Sequence, residues 1–132
     1  MLKFAVVDLE TTGGHKDLNR IMEVGIVLMD GSDIVDTYHA LVDPGHPITP
    51  FVRELTGISN EMVQGQPQFA SIAEHVAELM DDRIFVAHNV QFDCKFIHIV
   101  DVAISLSTVL NTVLVDVVHD ALQVVVDLLG CP

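Results

Sequence analysis

A chain of 132 residues, half of them hydrophobic, is sized for one compact domain, 1–132, with a core of its own. Nineteen acidic residues outweigh six basic ones, and the formal charge of −13 excludes long-range attraction to nucleic acid or to an anionic membrane as a basis for binding. The apolar content excludes intrinsic disorder, and the distant pair Cys94 and Cys131 forms no metal or redox motif, so the expectation is a cytoplasmic protein with reduced thiols and no membrane association.

The first element is the stretch Phe4 to Gly13, FAVVDLETTG. Phe4, Ala5, Val6 and Val7 form a continuous apolar run bounded by the turn signal Gly13-Gly14, the pattern of a strand buried on both faces. Alternation along a strand points Asp8 and Glu10 the same way and Leu9 to the other face. Two carboxylates held that close repel each other unless a cation or a proton lies between them, and all-oxygen ligation suits magnesium or manganese. A solvated turn is the alternative reading of the same residues.

A polar loop, His15 to Arg20, leads to a second strand, Ile21 to Asp30. Gly31-Ser32 is a short turn, and Asp33 to Val42 alternates as a hairpin partner should. Asp43-Pro44-Gly45 closes it. Pro47 and Pro50 punctuate a loop that enters a short helix over Phe51 to Leu55, ended by Gly57. In Phe69 to Met80, the residues Phe69, Ile72, Ala73, Val76 and Leu79 recur at helical spacing with Glu74 and Glu78 outside, which predicts an amphipathic helix. Arg83 to Ala87 reads as a short buried strand. Asn89 is the N-cap of a further helix carrying Phe92, Phe96 and Ile97.

From Asp101 onward the chain is rich in Val and Leu and contains no Lys or Arg. Polar residues interrupt each apolar run, so the region reads as core rather than as a membrane span. Ile104 to Val118 is expected to hold a strand, and Asp120 to Leu129 a helix ended by Gly130 and Pro132. Three leading strands followed by alternating helices and strands predict an α/β fold, a mixed sheet of about five strands flanked by helices.

Asp93 lies one turn into the helix that follows the Arg83–Ala87 strand. The reactive edge of an open α/β sheet lies outside the carboxyl ends of its parallel strands, so Asp93 can reach the space that Asp8 and Glu10 face. A third carboxylate strengthens the metal reading over that of a solvated first-turn acid.

Five stretches carry a resemblance: DLETTG (Asp8 to Gly13), MEVGIV (Met22 to Val27), LVDPGHPITP (Leu41 to Pro50), LTGIS (Leu55 to Ser59) and VAHNVQFD (Val86 to Asp93). In this order they resemble the DnaQ-like (DEDDh) 3′–5′ exonucleases, the proofreading-exonuclease family related to the epsilon subunit of DNA polymerase III. The resemblance runs from Phe4 to about His98. It implies a ribonuclease H-like fold and hydrolysis of phosphodiester bonds at single-stranded DNA or RNA 3′ ends by a two-metal mechanism. Mg²⁺ or Mn²⁺ would be held by Asp8, Glu10 and Asp93, and His119 in HDAL would be the general base, a role suited to an imidazole. Leu9, Thr11 and Thr12, with His88 and Phe92 of the later motif, are the nucleotide contacts it implies, Phe92 packing near the base or behind the site. His88 would also support the strand end, whereas His15, His39, His46, His75 and His98 match no catalytic element.

The chain departs from this pattern in two ways. The fourth acid of the family falls at Val124; the nearest carboxylates are Asp120 and Asp127, and Asp127 shares roughly the same helix face one turn lower. Either substitutes as a metal ligand only if the helix shifts; otherwise both are solvated surface acids. The stretch between Asp93 and His119 is also short, so residues from about 100 to 132 read as truncated relative to the family. These features set an active exonuclease against a catalytically impaired binding or regulatory module. The acidic surface adds the expectation that a polymerase or another domain presents the strand, and the apolar C-terminal third that a second copy could cover it.

Overall fold

The computed structural model describes residues 1–15 and 18–87. Among these, the strands are β1 (Lys3–Thr11), β2 (Ile21–Asp30), β3 (Asp33–Leu41) and β4 (Ile84–Val86), and the helices are α1 (Pro50–Thr56), α2 (Asn60–Val63) and α3 (Phe69–Met80). They form one four-stranded sheet in the order β3-β2-β1-β4. β1 pairs antiparallel with β2 and parallel with β4, so the sheet is mixed, as the order of elements in the chain predicts. The fifth expected strand and the helices expected beyond Ala87 lie outside the described residues.

One face of the sheet makes the main core. Ala5, Val7 and Leu9 of β1 and Val24, Ile26 and Leu28 of β2 meet Phe69, Ala73, Val76 and Met80 of α3, with Phe85 of β4 closing the side. The period of two in the strands and of 3.6 in the helix brings these residues into one layer. Tyr38 of β3 packs on its rim and meets the His75 ring edge-on, with centroids 5.1 Å apart.

The antiparallel register is regular until Glu10. Leu9 pairs with Val24 and Glu10 with Glu23, but Thr11 pairs with Ile21, so Met22 is the extra residue of a β-bulge. Its fully buried side chain packs with Ile48, Val52, Ile58 and Val63 of the α1–α2 region. Thr49 caps α1 by accepting from the Val52 N–H, Pro50 occupies its first turn, and Gly57 ends it at φ 75°, which costs a Cβ-free residue least. α2, which periodicity did not reveal, is a single turn. Ser59 accepts from Met62 N–H, and the Asn60 side chain clamps the Ile48 backbone by accepting from its N–H at 2.8 Å.

Arg83 ties the far end of the sheet together. Its Nη1 donates to the carbonyl oxygens of Phe4 (3.4 Å) and Met29 (3.0 Å) and to Asp30 Oδ1 (3.1 Å). Arg83→Ala should therefore destabilise the chain by about 1.5–3 kcal/mol, the usual range for hydrogen bonds to a charged group, read by urea or thermal melting.

Candidate active site

β1 delivers Asp8 and Glu10 to the sheet face opposite the α3 core, both half-buried, while Leu9 between them is 4% exposed and embedded in that core. A nucleotide contact from Leu9 would therefore have to come from its backbone. Both carboxylates lie beyond the last β1–β4 pair, Val6 with Val86, at the carboxyl end of two parallel strands. In a sheet of this kind that edge is where ligands bind.

The bend after β1 is fixed by its own side chains. Thr11 Oγ1 donates to the Gly13 carbonyl at 2.7 Å. The Thr12 N–H donates to the Arg20 carbonyl at 2.9 Å, and its hydroxyl accepts from the Arg20 N–H at 2.9 Å. That hydroxyl also lies 3.3 Å from Asn19 Oδ1 and 3.2 Å from His46 Nε2. His46 Nδ1 is 3.2 Å from the Pro47 carbonyl, which can only accept, so Nδ1 is the donor in that contact. Thr11 and Thr12 are buried, and the polar groups of Thr12 are committed within the protein. A Cβ at Gly13 would lie 2.5 Å from Asn19 Oδ1, so a larger residue there would displace the Asn19 side chain from Thr12.

A further acid appears on the same face. Glu23 sits in register with Glu10, one position along β2 from Val24, and is 4% exposed. Its Oε2 lies 2.8 Å from His39 Nε2 on β3, while its Oε1 is buried without a hydrogen-bond partner. Burial raises the carboxyl above its ordinary range and the nearby Asp8 charge adds to this, with the His39 hydrogen bond and charge opposing. An unsatisfied buried acceptor of this kind costs about 1–3 kcal/mol, and more when charged. The sequence signal for Glu23 was an acid inside an otherwise apolar strand, within the MEVGIV stretch; its pairing with His39 needed the β2–β3 register.

The donor set on this face is carboxylate oxygen, the chemistry of a magnesium or manganese site. Among the described residues no three His, Cys, Asp or Glu side chains are grouped closely enough to hold a metal ion by themselves. Asp93, His119, Asp127, His88 and Phe92, with Asp120 and Val124, lie outside the described residues. Asp8, Glu10, Thr11 and Thr12 are thus the candidate residues brought together at the end of β1.

A central strand ending in two carboxylates, joined antiparallel to a hairpin and parallel to a following strand, defines a mixed α/β sheet with an acidic edge at the carboxyl end of its parallel pair. Known proteins narrow the class. The RNase_T exonuclease family model matches residues 5–125, and the chain belongs to that family. It is 44% identical over 97 residues to the 3′-5′ exonuclease DinG of Staphylococcus aureus strain MRSA252, covering 74% of this chain and 11% of that protein. The chain therefore spans about a tenth of the length of the curated relatives it matches. A product-bound exonuclease I superposes with a TM-score of 0.68 at 19% identity over 76% of this chain and 25% of that one. Exonuclease X in complex with 5′ overhanging duplex DNA gives 0.61 at 29% identity over 73% and 53%. The likeness to exonuclease I establishes the ribonuclease H-like fold.

Proposed function

We propose that this chain is a metal-dependent 3′–5′ exonuclease acting at single-stranded nucleic-acid ends, with DNA as the preferred substrate. The observation that carries the reading is the placement of Asp8 and Glu10 on one face at the carboxyl end of β1, in a chain of the exonuclease family. Asp8, Glu10 and, by sequence, Asp93 bind Mg²⁺ or Mn²⁺. When bound, such ions neutralise charge on the scissile phosphate and make the attacking water more acidic. His119 accepts the proton from that water. The bend held by Thr11 and Thr12 keeps the end of β1 in place, so that its carboxylates need not reorganise as the substrate arrives.

The net charge of −13 favours presentation of the strand by another domain or protein, and the far greater length of the DinG relatives agrees with that. E. coli exonuclease I has been crystallised in complex with a dT13 oligonucleotide, which supports a single-stranded substrate.

The test is incubation of the purified chain with 3′-labelled and 5′-labelled single-stranded DNA and RNA in magnesium, manganese or chelator, beside His119→Ala. Metal-dependent laddering from the 3′ end that His119→Ala abolishes is the expected result. A parent chain that is folded yet inert under every condition would favour the second reading, a catalytically impaired binding module, which Val124 in place of the fourth acid supports. Val124→Asp discriminates further: the exonuclease reading expects a rate gain of about tenfold or more, since a restored carboxylate strengthens the second cation's site.

A further inference from the structure

Glu23 and His39 are used by nothing described so far, and their arrangement is unusual for a merely structural ion pair. A structural pair within a sheet is expected to satisfy both carboxylate oxygens. Here His39 engages Oε2 alone, and Oε1 is left buried without a partner. The same carboxylate lies in register with Glu10 and close enough to Asp8 for the two charges to repel. Gly25 stands in register between Asp8 on one side and His39 on the other, so β2 puts no side chain between them. A sheet that gathers three acids on one face and leaves one oxygen unsatisfied is arranged for a positive charge to complete it.

We propose that Glu23 is a positioning residue of the cation site, oriented by His39 through Oε2 and offering Oε1 to the hydration shell of a divalent ion held by Asp8 and Glu10. The proposal deepens the exonuclease reading and rests on its assignment of Asp8 and Glu10. An outer position for Glu23 fits the described geometry, in which the acids of this face do not by themselves close into a metal cage. Polar groups that orient a metal site from behind its ligands commonly change metal affinity by about 10- to 100-fold when replaced.

The test measures cation binding directly rather than hydrolysis. Free Mn²⁺ is followed by electron paramagnetic resonance during titration of the parent chain, Glu23→Gln, Glu23→Asp, His39→Ala and Asp8→Asn, with melting temperatures recorded in chelator. Glu23→Gln keeps the size and an acceptor for His39 but removes the charge. It is expected to melt in chelator at or above the parent temperature, and yet to bind Mn²⁺ about 10- to 100-fold more weakly. Glu23→Asp keeps the charge but withdraws the oxygen by one methylene, and should also weaken binding, as should His39→Ala to a smaller extent. Should Glu23→Gln fail to fold, Glu23→Asp carries the decision. Parent-like Mn²⁺ affinity in the folded Glu23 variants, with affinity lost in Asp8→Asn, would overturn the role of Glu23 and leave the exonuclease reading intact. Parent-like affinity in Asp8→Asn would overturn both.

Discussion

Asp8→Ala is expected to abolish metal-dependent hydrolysis, with a loss on the order of 10³-fold in kcat, and to leave the fold intact. Asp8 is half-buried on the sheet face opposite the α3 core, so shortening it opens no cavity in that core. The loss follows from chemistry: a carboxylate that holds a divalent ion supports several kcal/mol of charge stabilisation at a phosphoryl centre, and each 1.4 kcal/mol is tenfold in rate. The measurement is single-turnover digestion of a 3′-labelled strand, with a melting curve in chelator as the control for folding. Activity within tenfold of the parent would show that Asp8 is not a ligand, whatever the family resemblance implies.

The largest expected effect on stability belongs to Phe85→Ala. Phe85 is 1% exposed, pairs in register with Ala5 across the parallel β1–β4 contact and belongs to the core cluster that includes α3. Removing a buried phenyl ring costs about 3–5 kcal/mol through lost transfer energy and the cavity left behind. Against a total stability of roughly 5–15 kcal/mol for a domain, that is a large share. The melting temperature should fall by about 10 °C or more. Phe51, 74% exposed in the first turn of α1, provides the contrast: Phe51→Ala should stay within about 0.5 kcal/mol of the parent. Equal effects at both positions would mean that β4 is not the packed strand described.

Much of this architecture was legible in local pattern. The α3 helix spans Phe69–Met80 and β2 spans Ile21–Asp30, as their spacing predicted, and the hairpin partner and the Gly57 stop agree to within a residue or so. Long amphipathic or continuous apolar segments repeat a local period often enough to be read. The single-turn α2, capped by Ser59, has no room for a period and was not expected from the sequence. β4 is shorter than Arg83–Ala87 suggested: it spans Ile84–Val86, and the Arg83 N–H is committed to the Met80 carbonyl in the turn after α3.

The candidate site divides along the same line. The sequence alone put Asp8 and Glu10 on one face of a buried strand and Leu9 on the other, because alternation is a property of consecutive residues. It also named the family, because short motifs in a fixed order survive as strings. What required the tertiary structure was everything that depends on register. The pairing of Glu10 with Glu23, the bulge that sends Met22 to the α1–α2 cluster, the reach of His39 to Glu23 and of His46 to Thr12 all join residues distant in the chain. A strand's sequence states which face each residue takes. Which residue of a neighbouring strand stands opposite is settled only when the strands pack, since a shift of one position reverses every face.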